Sequence, residues 1–356
     1  MNYELSEAKL KANTNSRTMP INSSAKLVPN ALDLKSLEQE PTRKGYGEGL
    51  LEAGEKDSRV VALCADLTES TQTIHFAKKF PARFIQMGVA EQNMAAVASG
   101  LANYGKIPFI TSYAMFSPGR NWEQIRTTIC YNNVPVKIIG SHTGVSVGPD
   151  GATHQALEDI AIMRTIPNMT IFAPCDMHEG KKAALAALDV NGPVYIRYTR
   201  EKTPVFTTLD TPFEIGKAKI FFDSSLSSLA TKLDVAVIAC GPLVHNAILA
   251  AAELEKDGIG VRVINNHTIK PIDEDTIIQA AKDAGAIVTV EEHQIAGGMG
   301  SAVAEVLAKN HPVPIEFVGV QNRFGESGEP NELIEHFGMG VKHIIDAAKK
   351  VIKRKA

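Results

Sequence analysis

Two histidines and an aspartate share one loop-like run, Gly140-Ser-His-Thr-Gly-Val-Ser-Val-Gly-Pro-Asp-Gly-Ala-Thr-His154. Its four glycines permit unusual backbone angles, and a segment so rich in polar side chains has little packing purpose. His142 and His154 lie 12 positions apart with no Cys or Glu beside them, which fits no common zinc spacing. Glu91, in Gly88-Val-Ala-Glu-Gln-Asn-Met94, is a second candidate. It reads as a ligand-facing carboxylate or as an acid interacting with the positive end of a helix. Arg43, Ser70 and Arg200 each read singly as a solvated or helix-capping residue. Together with His142 they supply the cationic and hydroxyl donors that a phosphate requires. Tyr113 and Phe116 serve either as core residues or as an aromatic wall for a planar heterocycle. Gly297-Gly-Met-Gly300 fits tight helix–strand packing, and can also cradle an anion at a helix start.

The elements that must position these residues alternate. Strand-like runs are Val60–Cys64, Arg83–Met87, Pro108–Thr111, Val136–Ile139, Met169–Phe172 and Val194–Arg197. Helical patterns over 92–104 and 178–189 predict a parallel sheet covered on both faces. Glu91 then sits at a strand-to-helix junction, and the Gly140–His154 run at the carboxyl end of a strand, where open α/β sheets bind ligands. A softer stretch over 206–232, with Pro212 and the Ser-rich Asp223–Ser228, marks a linker. Beyond it, strands at 234–239, 261–265, 286–291 and 314–319 alternate with helices at 243–256, 274–284 and 299–309. The fold class is therefore α/β, with two α/β domains of mainly parallel sheet: a first over 40–205 and a smaller one over 233–356. Residues 1–39 form a polar extension, disordered alone or laid on a partner.

A chain of 356 residues with 44% hydrophobic and 22% charged residues suits two globular domains. A net charge of −3 gives no global electrostatic case for nucleic acid or an anionic membrane. No apolar stretch approaches the ~20 residues of a membrane span. Cys64, Cys130, Cys175 and Cys240 are far apart, and Cys64 and Cys240 fall in apolar runs. Buried reduced thiols and a cytoplasmic location are the expectation.

From about Thr42 onward the chain resembles the C-terminal half of a transketolase. The resemblance rests on Thr42-Arg-Lys44, Ala65-Asp-Leu-Thr68 with Ser70, the Gly88–Met94 run, Gly140-Ser-His-Thr-Gly144 and Gly148-Pro-Asp-Gly-Ala-Thr-His154, in that order and spacing. It implies a pyrimidine-binding domain followed by a transketolase C-terminal domain, and thiamin diphosphate as cofactor. It assigns Glu91 to the ring nitrogen of the cofactor's aminopyrimidine and Asp66 to an acid near the cofactor. Phe116 and Tyr113 become the stacking wall. Asp150 and His154 become contacts to sugar hydroxyls and the reacting oxygen, His154 counting with Glu91 as catalytic. Arg43, Ser70, His142 and Arg200 become a clamp for sugar-phosphate substrates.

The sequence departs from the family pattern around Ser117-Pro-Gly-Arg120, where one residue is inserted and a third aromatic is missing. A larger departure is the lack of the Gly-Asp-Gly and downstream Asn that hold diphosphate and a divalent metal such as Mg2+; no metal ligand is assigned to this chain. The expectation is the smaller subunit of a split transketolase, pairing as two copies each with a diphosphate-binding subunit. Rival assignments are a 1-deoxyxylulose-5-phosphate synthase-like chain, a 2-oxo acid dehydrogenase beta-like chain, or a non-catalytic regulatory paralogue. Arg43, the Ala65–Ser70 run and His142 favour transketolase over the other enzymes. Retention of Glu91, Asp150 and both histidines counts against the paralogue.

Overall fold

A computed structural model describes residues 20–227 and 232–355; residues 1–19 of the expected extension, and the end of the Ser-rich stretch, lie outside the described residues. The first domain opens with a short strand, β1 (Gln39–Pro41), and a helix, α1 (Thr42–Lys56). There follow β2 (Val60–Cys64), α2 (Ile74–Lys79), β3 (Phe84–Gln86), α3 (Glu91–Asn103), β4 (Ile107–Tyr113) and β5 (Lys137–Ser141). Then come α4 (Asp159–Arg164), β6 (Thr170–Phe172), α5 (Met177–Ala186), β7 (Val194–Arg197) and β8 (Lys202–Pro204), the last pairing antiparallel with β1. Strands β2 to β7 lie parallel in the order β6-β7-β5-β4-β2-β3. They are short and almost wholly apolar because helices cover both faces. From β2 the chain passes to β3 on one side and then to β4 on the other, so the crossover direction reverses between β2 and β4. Such a reversal opens a crevice at the strands' carboxyl ends.

Packing of α1 on α5 sets where Arg43 goes. Gly45 and Gly49 share one face of α1, and a Cβ on Gly45 would stand 1.9 Å from the carbonyl oxygen of Met177. The Thr42 and Thr199 hydroxyls lie 3.0 Å apart, and the Thr199 amide donates to Thr42 Oγ1 at 2.8 Å. That pin registers the start of α1 against the loop after β7, placing Arg43 near Arg200. Gly45→Ala is expected to wedge the helices apart and destabilise the chain by about 1–3 kcal/mol. A denaturant midpoint equal to wild type would show that this contact is not close-packed.

The second domain contains β9 (Lys219–Asp223), β10 (Val235–Ala239), α6 (Leu243–Lys256), β11 (Val261–Asn265) and β12 (Thr268–Lys270). It continues through α7 (Glu274–Ala284), β13 (Ile287–Gln294), α8 (Met299–Asn310), β14 (Ile315–Val320), α9 (Pro330–His336) and α10 (Val341–Ile352). Its sheet runs β14-β13-β10-β11-β9, parallel except for β9. Helices α6 and α10 share one apolar core with this sheet, and α7 and α8 pack into another that continues into the first domain. Strand β12 leaves the second domain altogether and pairs antiparallel with β6, extending the first sheet.

Two expectations are revised. The stretch 206–232 is not merely a linker: Phe221 and Phe222 are buried and β9 is a strand, because Ile220, Phe221 and Phe222 supply enough apolar surface to close the sheet edge. Residues 20–38 lie on this chain's own second domain. The Asn22 amide donates to Phe221 O at 2.9 Å, His245 Nε2 lies 2.9 Å from Ala31 O, and Ala25, Ala31 and Leu37 are buried. All four cysteines are free and buried, and among the described residues no helix is long and apolar enough to cross a membrane.

Candidate functional site

Candidate residues come from the carboxyl ends of five parallel strands. Asp66 and Ser70 follow β2, Glu91 follows β3, Tyr113 and Phe116 close β4, His142 follows β5, and Arg200 follows β7. Tyr113 donates its hydroxyl to Ser70 Oγ at 3.1 Å, bridging the crevice between β2 and β4. The ring of Tyr113 stacks on His142 with centroids 3.7 Å apart. His142 is buried with φ +56°, a left-handed backbone that few side chains adopt. Its Nδ1 lies 2.9 Å from Ser141 Oγ and its Nε2 3.5 Å from Arg43. Burial, then the charges of Arg43 and Arg200, push its pKa down to about 2. His142 therefore enters the cluster as a neutral hydrogen-bonding group, not as the cation its residue type allows.

Arg43 donates to the Ser70 carbonyl, while its buried Nε has no partner. Burial and then the Arg200 charge lower its pKa. Arg200 donates to Val147 O at 2.6 Å and stands 3.6 Å from Asp150 Oδ1. Two guanidinium groups thus converge with a donor to spare, an arrangement suited to an anion with several oxygens.

Beside this cradle, His154 meets Phe116 edge-on at 5.4 Å, and its Nδ1 lies 2.9 Å from Thr153 Oγ1. Glu91 is the first residue of α3 and is 1% exposed. Ser112 donates to its Oε1 at 3.2 Å and Arg120 to its Oε2 at 2.5 Å, while Asn121 donates to its backbone carbonyl at 3.1 Å. The half-exposed Arg120 guanidinium also lies over the Phe116 ring at 4.8 Å. Asp66 stands at the exposed end of β2 with φ +60°, its amide held by Gln86 Oε1 at 2.8 Å.

The structure brings Arg43, Ser70, Tyr113, His142, Asp150 and Arg200 into one cluster, with Phe116 and His154 adjoining through Tyr113. Glu91 connects to them through Arg120 and Phe116, and Asp66 lies towards the rim. Tyr113 stacks on His142 and bonds Ser70, while Phe116 is met edge-on by His154 and covered by the half-exposed Arg120 guanidinium. Arg120 and Ser112 escaped the sequence reading. The unusual Ser117–Arg120 stretch was the one signal for Arg120; Ser112, an ordinary strand residue, gave none. The Gly297–Gly300 cradle already holds a carboxyl group of this chain: Glu291 accepts from the amides of Met299 at 2.7 Å and Gly300 at 2.8 Å. Among the described residues no group of three His, Cys, Asp or Glu side chains can hold a metal ion.

Comparisons with known proteins give a consistent picture. The family model "Transketolase, pyrimidine binding domain" matches residues 38–205, and "Transketolase, C-terminal domain" matches 228–344. A putative transketolase C-terminal section from Methanocaldococcus jannaschii is 45% identical over 86% of this chain and 96% of its own length. A 6-deoxy-6-sulfo-D-fructose transketolase subunit from a Clostridium species is 41% identical over 90% of this chain and 97% of its own. Among solved structures, a split gene transketolase described as an inactive beta4 tetramer matches with TM-score 0.81 at 41% identity, covering 89% of this chain and 99% of that one.

Proposed function

The chain belongs to the transketolase family, and on that premise we propose that it is the smaller subunit of a split, thiamin-diphosphate-dependent transketolase. The reaction is transfer of a two-carbon ketol unit from a ketose phosphate to an aldose phosphate. The observation that carries the substrate class is the pairing of Arg43 and Arg200 around neutral His142, with Arg43 Nε buried and unpartnered. Asp150 at 3.6 Å and Glu201 at 3.5 Å already flank Arg200, so Arg43, with no carboxylate paired to it among the described residues and a buried donor unmet, is the group an anion would chiefly satisfy.

The residues present also fit the cofactor. Glu91 offers a buried carboxylate and Phe116 a half-buried ring, a floor and wall for an aminopyrimidine once the half-exposed Arg120 guanidinium that now spans them swings out, with Asp66 nearer the rim. When bound, thiamin diphosphate supplies a nucleophilic carbon and an electron sink for carbon–carbon cleavage. Glu91 would exchange a proton with the pyrimidine nitrogen of the bound cofactor, and His154 with Asp150 would orient the sugar oxygens. Arg43, Ser70, His142 and Arg200 hold the substrate phosphate, with Tyr113 fixing Ser70 and His142 in place. The arginines act as charges; Nε2 of neutral His142 now accepts from Arg43 and the Ser70 hydroxyl donates to Leu67 O at 3.2 Å, so each donates to the phosphate only by exchanging that partner for it. The diphosphate and its magnesium are held by a second, larger subunit, and two copies of each chain form the working assembly.

Reconstitution tests this reading. Alone, the chain with thiamin diphosphate and magnesium is expected to give no ketol transfer. That agrees with the description of the related beta4 tetramer as inactive. Mixed with the larger subunit it should gain activity, with the mass of a two-plus-two assembly. Full activity of the chain by itself would refute the split-enzyme reading.

A further inference from the structure

We infer that the second domain supplies a positioning residue to the site: Glu292, whose carboxylate moulds the loop that carries Asp150 and anchors Arg200. The inference rests on the sugar-phosphate role assigned above to that loop. None of the groups proposed to touch substrate or cofactor comes from the second domain, yet that domain walls the loop from behind.

Glu292 lies near the end of β13 and is 3% exposed. Its Oε1 accepts the Ser146 amide at 2.6 Å, crossing from one domain to the other. The approach is open because residue 144 is glycine. It has φ +83°, and a Cβ there would stand 2.2 Å from Glu292 Oε1. The main chain of Glu292 is fixed as well, since its carbonyl accepts Arg197 Nη2 at 2.7 Å. Arg197 in turn is fixed by Asp159 Oδ2 at 2.9 Å, with both partners buried. Gln155 closes the far end of the loop, donating to Val145 O at 3.0 Å and to Glu326 O at 2.8 Å.

Between these clamps runs the tight turn Val145–Asp150. One residue past Ser146, the Val147 carbonyl accepts Arg200. Three positions further along, Asp150 faces the same guanidinium. The chain of contacts runs from Glu292 to the Ser146 amide, through the turn to Val147, and so to Arg200. A buried carboxylate on a backbone amide is a charge-assisted hydrogen bond. Losing it leaves a desolvated N–H and frees the turn. Burial raises the Glu292 carboxyl pKa, while Arg197 and Ser146 pull it back. An acceptor oxygen faces Ser146 in either protonation state, so the role is mechanical.

The test uses the chain assembled with its larger subunit, and amide hydrogen exchange on the chain alone. In Glu292→Ala the KM for a phosphorylated ketose should rise about tenfold with a smaller change in kcat, and unphosphorylated sugars should be affected less. Exchange across residues 145–148 should accelerate. Glu292→Gln keeps an acceptor of the same length and should restore both readouts to near wild type. Should Glu292→Ala not fold, Glu292→Asp, whose carboxylate is withdrawn from Ser146, should show the same KM rise and faster exchange. Unchanged KM and exchange in the shortened variants, or a Gln variant as impaired as Ala, would overturn the inference. If the wild-type assembly shows no preference for phosphorylated sugars, the substrate reading fails. The exchange data then still decide whether Glu292 holds the loop.

Discussion

Glu91→Gln is expected to lower turnover by about 10²–10⁴-fold while the assembled protein keeps its mass and still binds thiamin diphosphate. The amide has the shape of the carboxyl group but cannot exchange a proton with the pyrimidine nitrogen. The fold should tolerate the change. Ser112 can still donate to the side-chain oxygen, and Asn121 binds the Glu91 backbone, not its side chain. Arg120 is 45% exposed, so its guanidinium can return to water. Near-normal turnover with cofactor bound would end the proposed proton-exchange role. Loss of cofactor binding together with activity would instead show that the carboxylate acts chiefly as an anchor.

Removing either arginine of the cradle should discriminate between substrates. Arg43→Ala or Arg200→Ala is expected to reduce kcat/KM for a sugar phosphate by roughly ten- to hundredfold, the cost of a lost charged hydrogen bond of about 1.5–3 kcal/mol. The unphosphorylated sugar should change little. Each arginine also ties down a backbone carbonyl, Arg200 that of Val147 and Arg43 that of Ser70, so the comparison of phosphorylated with unphosphorylated sugar, not the size of either loss, is the readout. Equal effects on xylulose and its 5-phosphate would show that these arginines hold the protein rather than the substrate.

Much of this arrangement was legible in the sequence, for a definite reason. A strand buried on both faces must be apolar throughout, so Val60–Cys64 and Val235–Ala239 stand out from their surroundings. The candidate site followed, since a polar, glycine-rich run after such a strand has few structural uses. What stayed hidden depends on partners far away in the chain. Lys219–Asp223 becomes a strand only by closing an edge beside Val261–Asn265. Residues 20–38 are ordered by scattered contacts, among them the buried Ala25, Ala31 and Leu37 and the Asn22 and Val28 amides, with no run of apolar residues at helical or strand spacing to announce them. Arg120 and Glu292 were missed for the same cause. Nothing in their immediate neighbourhood says that one meets Glu91 and the other meets the Ser146 amide across a domain boundary.

Strand β12 has a practical consequence. Thr268 and Lys270 pair with Phe172 and Ile171, so a segment between two strands of the second sheet finishes the first. Cutting the chain near residue 205 would leave Thr170–Phe172 as a bare strand edge with unmet amides and carbonyls. Exposed edges of that kind recruit other chains into open-ended pairing. Each half expressed by itself should therefore be prone to aggregate, and on heating the intact chain should melt in one transition, its two domains sharing a single seam.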